Sequence, residues 1–274
     1  MATVANKDPQ RAEKERRRMQ EYRKKFVEET PKWYRGELHL AFMLTVTFGT
    51  IAFCWTQLAS PTAMEWLVVV PMALFGNYIE WAAHRYVLHR PIPGLTAVYK
   101  RHCGTHHLFF TDHDLSYHGQ KEWRALLFPA FAPVAFILAS VPPALVLAAV
   151  WSANVGYLAV GMMAAYYLMY EGLHTLSHLD DERHPYLKYI PLVNTIRRMH
   201  VVHHDLGQMQ TRNFNLTFPL CDALFGTSDL DRGVLGTLFN GTNERHVRAD
   251  NRYTPPPADL YGDTSGSSSQ KAAE

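Results

Sequence analysis

Two long stretches of this chain carry almost no charge, and few soluble folds call for that. From Leu38 to Ala83 the only Asp, Glu, Lys or Arg residues are Glu65 and Glu80, and from Ala125 to Tyr170 there are none. A helix needs about 20 consecutive apolar residues to cross a bilayer. Residues 38–58 meet that requirement and end at Ser60-Pro61. Residues 63–83 follow, with Trp66 near their start and Tyr78 and Trp81 near their end, placed as interfacial aromatics. Residues 125–150 and 151–170 repeat the pattern, and Pro142-Pro143 is expected to mark the turn or a kink of this second pair. A helix buried in a large soluble core reads the same way one segment at a time. Four such segments in two adjacent pairs instead predict an all-α integral membrane protein, with four transmembrane helices in two hairpins.

The cations set the topology. Lys and Arg occur only in residues 1–37, 84–124 and 171–274, and neither hairpin turn contains one. By the positive-inside rule all three regions lie on the cytosolic side, as four crossings also require. The membrane is then a bacterial inner membrane or the endoplasmic reticulum. Residues 1–37 hold eleven Lys/Arg and seven Asp/Glu with no signal-peptide core. They read as a charged helical arm, either held to anionic headgroups or simply solvated. Residues 38–254 form the membrane-embedded domain, and the Gly/Ser-rich residues 255–274 are expected to be disordered. With 47% hydrophobic and 12% aromatic residues the chain is not a low-complexity one. Cys54, Cys103 and Cys221 are too few and too scattered for a disulfide framework. No Gly-rich nucleotide loop, iron–sulfur cysteine pattern or basic nucleic-acid signature is present.

Fifteen histidines are the second constraint, and ten of them fall into four clusters on the cationic segments. These are His84 and His89; His102, His106 and His107; His174 and His178; and His200, His203 and His204. They form a cytosolic, His-rich helical cap. On an α-helix, residues three or four apart share a face. His102 with His106, His174 with His178, and His200 with His203 or His204 can therefore each offer two imidazoles to one metal. Neighbours such as His106 and His107, or His203 and His204, diverge by about 100° and let one helix reach two metals. Ten imidazoles exceed the ordinary coordination of one ion, which favours a dinuclear site. Imidazole suits iron, zinc, copper or nickel better than calcium or magnesium. Isolated His39 and His246 are expected to be structural, and His113, His118 and His184 structural or supporting. Glu80, Asp112, Glu171, Asp180 and Asp205 are placed to accept the second N–H of a ligating histidine. Glu80 and Glu171, each ending an apolar span, can equally well serve only to reach the headgroup region.

Taken together, the boxes resemble the fatty acid hydroxylase and sterol desaturase superfamily of membrane di-iron enzymes. That superfamily carries an H-x(3-4)-H box, an H-x(2-3)-H-H box, an H-x(3)-H pair and a final H-x(2)-H-H box. His84 with His89 resembles the first, His102 with His106 and His107 the second, His174 with His178 the third, and His200 with His203 and His204 the fourth. The segment from Asn213 through Asp222 to Leu224, Phe225, Gly226 and Thr227 is similar to its closing motif. The resemblance implies that the ten histidines bind two iron ions, with dioxygen as co-substrate. One oxygen atom would enter an unactivated C–H bond of a lipid or fatty acyl chain. Residues 1–37 hold no histidine and are too short for a fused cytochrome b5 domain. Electrons are thus expected from a separate donor protein of ferredoxin, rubredoxin or cytochrome b5 type.

Members of that superfamily also desaturate lipids, deformylate aldehydes and oxidise sterols and carotenoids. The long interval between the second and third boxes resembles the fatty-acyl hydroxylase branch, which favours hydroxylation over desaturation. Sterol, ceramide, free fatty acid and aminolipid substrates all stay open. From another class, a membrane zinc hydrolase also uses dinuclear His-rich sites, but no H-E-x-x-H segment occurs here. A metal transporter would place polar ligands inside the spans, whereas these clusters lie outside them. Poly-imidazole sites also accept zinc readily, so purified protein can carry zinc in place of iron.

Overall fold

The computed structural model describes residues 8–240 and 244–248, and all regular elements among them are helices. The expected disorder of residues 255–274 lies outside the described residues. Seven helices carry the argument: α1 (Pro9–Glu29), α2 (Gly36–Thr56), α3 (Ala63–Leu88), α4 (Thr96–Arg101), α5 (Ala132–Val150), α6 (Ala153–Ser177) and α7 (Pro191–His203).

Three of them, α2, α3 and α5, are long and apolar enough to cross a membrane. Their outer faces expose the large apolar side chains Phe48, Phe53, Leu74, Leu138 and Leu145, the kind of surface a bilayer covers. The fourth long helix, α6, has 25 residues and packs against α2, α3 and α5. It buries Val155, Leu158, Ala159, Met163, Tyr166 and Tyr167. A helix enclosed by other helices needs no lipid-compatible surface, so α6 can mix tyrosine, glutamate and histidine into its lower half. Close approach at this centre relies on small residues. A Cβ at Gly76 would lie 2.8 Å from the Tyr166 ring, and one at Gly156 would lie 2.8 Å from Ala148 Cβ.

The second hairpin differs from its sequence pattern in two places. Helix α5 begins at Ala132, not at residue 125, because Ala125, Leu126 and Leu127 are buried in the protein. Their apolarity serves the core. Pro142 and Pro143 sit inside α5, and the chain turns only at Trp151 and Ser152. Glu65, one of the two acids in the first apolar block, ties the two hairpin ends together. It forms a capping box with Thr62 at the start of α3 and accepts hydrogen bonds from Ser152 and Asn154.

Helix α1 is docked. Met19 is buried, and Tyr22, Phe26 and Val27 pack against Phe109, Phe110, Ala125 and Leu126. The charged segment therefore lies over the histidine-bearing polypeptide, with Glu15 and Arg23 turned toward it.

Candidate metal centre

The backbone at two of the histidine boxes is not α-helical. His84–Leu88 and His102–His106 are single π-turns, in which an N–H bonds the carbonyl five residues back. His89 N–H donates to His84 O at 3.2 Å. On an α-helix, residues five apart point about 140° away from each other. The extra residue in each turn instead brings His84 together with His89, and His102 together with His107.

Two sets result. The ligand nitrogens of His84, His89, His102, His107 and His203 all lie within 4.8 Å of one another, as do those of His106, His174, His178 and His200. The ring of His204 lies 4.3 Å from those of His200 and His107 and 4.8 Å from that of His106, so it stands where the two sets meet. The α-helical pairing of His102 with His106 on one ion is therefore not what the fold builds. Those residues belong to different sets, as do His200 and His203. Adjacent His106 and His107 divide between the sets.

The protonation state follows from what each Nδ1 meets. Nδ1 of His84 faces Phe214 O at 2.5 Å, that of His106 faces Ala125 O at 3.1 Å, and that of His178 faces Leu115 O at 2.7 Å. Nδ1 of His203 faces Arg212 O at 2.8 Å, and that of His204 faces Phe110 O at 2.5 Å. A carbonyl only accepts, so these five Nδ1 atoms carry the proton and each Nε2 presents a bare lone pair. Burial holds the rings neutral: His178, His200, His203 and His204 are pushed well below the ordinary histidine range, and His106 down to about 3.

Those Nε2 atoms crowd together. Nε2 of His102 lies 3.0 Å from that of His84, 3.1 Å from that of His89 and 3.2 Å from that of His107. In the second set His174 Nε2 lies 3.2 Å from those of His106 and His178, and His200 Nε2 lies 2.9 Å from that of His178. One imidazole nitrogen cannot hydrogen-bond three others at once, and facing lone pairs repel unless a cation lies between them. For a metal–nitrogen distance of about 2.1 Å, ligands at right angles stand about 3.0 Å apart and tetrahedral ligands about 3.4 Å. The observed spacing fits ligands at right angles around one ion per set. Buried Nε2 of His204 has no hydrogen-bond partner, which is consistent with a ligand role.

Both sets open on one cavity. It has a volume of about 670 Å³, and its walls are almost wholly apolar, from Ile79 and Ala83 of α3, Leu126 to Phe128, and Ala132 and Phe136 of α5. His84 and His102 of the first set and His106 and His174 of the second line it as well.

The family model described as fatty acid hydroxylase matches residues 68–227, more than half of the chain. The chain belongs to the fatty acid hydroxylase family. That family lies in the sterol desaturase/fatty acid hydroxylase superfamily, and membership implies oxidoreductase activity, a lipid substrate and a membrane setting. No significant match to a curated protein or to a solved structure was found.

The matched region of this fatty acid hydroxylase family member contains all ten clustered histidines and the segment that closes the first set. Asp222 is buried and gathers that segment: it accepts from Phe214 N at 3.0 Å, Asn215 N at 2.7 Å and Thr227 Oγ1 at 2.5 Å. Asn213 sits at a φ of 56°, which asparagine tolerates, and donates to Met199 O and Asp229. The loop thereby aims the carbonyls of Arg212 and Phe214 at His203 and His84.

Three of the acidic residues singled out from sequence, Glu80, Glu171 and Asp180, bond to partners other than a ligating histidine. Glu80 accepts from Tyr166, from the hydroxyl of Thr217 and from the amides of Leu216 and Thr217, so it clamps the closing loop to α3. Glu171 accepts from Phe128 N and Tyr167. Asp180 caps the following turn at Glu182 N and pairs with Arg183. The Nδ1–H groups of His84, His106, His178, His203 and His204 go to backbone carbonyls instead, because an irregular cap leaves carbonyls free at the right places. His39 pairs with Tyr34, His118 lies 3.7 Å from Asp114, and His184 pairs with Tyr186. His113 meets Glu15 of α1 at 3.4 Å and forms a small third group with Glu15 and Asp112. None of these four enters either histidine set.

Proposed function

We propose that this chain is a membrane-embedded di-iron lipid hydroxylase. The observation that carries the reading is the single apolar cavity faced by imidazoles of both histidine sets. Four crossings, α2, α3, α5 and α6, would place the N-terminus, the histidine cap and the C-terminal region on the cytosolic side. His84, His89, His102, His107 and His203 would hold one iron, and His106, His174, His178, His200 and His204 the other. Iron bound there would supply dioxygen activation and insertion of one oxygen atom into a C–H bond, with two electrons from a separate donor protein.

The chain's own residues do the rest. Burial holds the imidazoles neutral, and backbone carbonyls aim five of them. The apolar wall excludes water from the reacting end of the substrate and selects a hydrocarbon chain over a polar one. Purely imidazole sets, without the carboxylates usual in dinuclear hydrolases, favour this reading over a zinc hydrolase. The test is lipid mass spectrometry of cells expressing the wild type or His203→Ala. Lipids heavier by one oxygen only with the wild type support hydroxylation, lipids lighter by two hydrogens mean desaturation, and hydrolysed lipids overturn the oxygenase.

A further inference from the structure

The two histidine sets are oriented by different parts of the chain. In the first set the carbonyls that receive ring protons belong to Arg212 and Phe214, on the closing loop. For the second set and for His204 beside it they belong to Leu115, Ala125 and Phe110. The stretch that holds Phe110 and Leu115 is a tight turn, with a bridge between Thr111 and Asp114. Phe110, Thr111 and Leu115 are buried there, but outside any helix or sheet the direction of those two carbonyls needs a further group to hold it.

That group is Arg23, which comes from α1. Its Nε donates to Phe109 O at 2.7 Å, its Nη1 to Asp114 Oδ2 at 2.7 Å and its Nη2 to Asp114 O at 2.6 Å. The guanidinium also lies over the rings of Phe109 and Phe110, at 5.0 and 5.4 Å from their centroids. Each grip falls one residue before a carbonyl that orients a ligand: Phe109 precedes Phe110, the partner of His204, and Asp114 precedes Leu115, the partner of His178. Arg23 makes no such bond to the closing loop. The planar fork matters, since three donors in fixed directions hold both ends of the turn as a flexible ammonium could not.

We propose that Arg23 is a positioning residue for one metal site alone, the site of His106, His174, His178, His200 and His204. The charged N-terminal helix is then part of the metal centre. Losing a group that orients metal ligands weakens metal binding by roughly 10- to 100-fold. The effect should fall on one ion of the two.

The test rests on the two-metal reading above and is built to fail separately from it. Full-length protein in detergent is loaded anaerobically with ferrous iron, passed through a desalting column, and assayed for metal per chain by mass spectrometry. Wild type should retain about two ions and Arg23→Ala about one. Combining Arg23→Ala with His178→Ala should leave about one ion, because both remove the same site. Combining it with His203→Ala should leave close to none, because each removes a different site. Arg23→Lys, which keeps the charge and the packing but not the fork, should also fall below wild type, and it replaces the alanine variant if that one aggregates. Two ions retained in the Arg23 variants would overturn the proposal, as would equal loss from both sites. A wild type that binds fewer than two ions would instead overturn the dinuclear reading.

Discussion

Replacing Asp222 by Asn removes one charge and almost no volume, so its effect isolates the hydrogen bonds of the closing loop. Oδ1 accepts from Phe214 N and Thr227 Oγ1, and Oδ2 accepts from Asn215 N. The introduced amide can keep the first two bonds only by turning its NH₂ toward the Asn215 N–H. One charge-assisted bond, worth about 1.5–3 kcal/mol, is lost, and a buried donor is left facing another donor. Burial pushes the Asp222 carboxyl up to about 6, so it is ionised at neutral pH and the charge is lost there. Counting the partial relaxation of the loop, the cost is about 2–4 kcal/mol. For a chain of this size that is a fall in Tm of roughly 5–15 °C. The displaced Phe214 carbonyl should also release His84, so metal content should drop from the first set while the second is kept. Thermal unfolding in detergent, followed by circular dichroism and paired with metal analysis, measures both effects. A Tm within 2 °C of wild type, together with full metal content, would refute the reasoning that Asp222 holds the carbonyl that aims His84; that threshold lies below the smallest expected shift.

Three further outcomes are expected. His106→Ala and His203→Ala should each abolish turnover and lower metal content by about one ion, because each removes an imidazole from a different set; full activity in either would sink the dinuclear assignment. Ile79→Trp puts bulk into the apolar cavity at a residue outside both histidine sets, so metal content should stay at the wild-type level. Its turnover of long acyl chains should fall at least roughly 10-fold, about 1.4 kcal/mol of transition-state binding, and unchanged kinetics would show that the cavity is not the substrate channel. Deleting residues 262–274, a Gly/Ser-rich stretch outside the matched region, should leave turnover unchanged, and a loss there would reveal a docking role.

Local pattern decided a great deal. Charge-free runs of helical length already mark out the long helices, because lipid leaves backbone polar groups no partner except within the helix. Four histidine boxes of short spacing likewise announce a metal centre. Helix α6 runs to Ser177, past the charge-free stretch that ends at Tyr170, since its interior position permits Tyr166, Tyr170 and Glu171. The start of α5 was misplaced because the apolar Ala125 to Leu127 segment is buried by protein and not by lipid.

Which imidazole joins which set is a tertiary matter. One extra residue in a turn rotates everything after it by about 100°, and the π-turns at His84 and His102 exist only because the surrounding cap accommodates them. The carbonyls that set each tautomer lie far along the chain, with Phe214 130 positions from His84 and Phe110 94 positions from His204. The grip of Arg23 on Asp114 spans 91 residues. Ligand identity was therefore written in local spacing, whereas the sharing of ten histidines between two sites came from long-range contacts that no local pattern encodes.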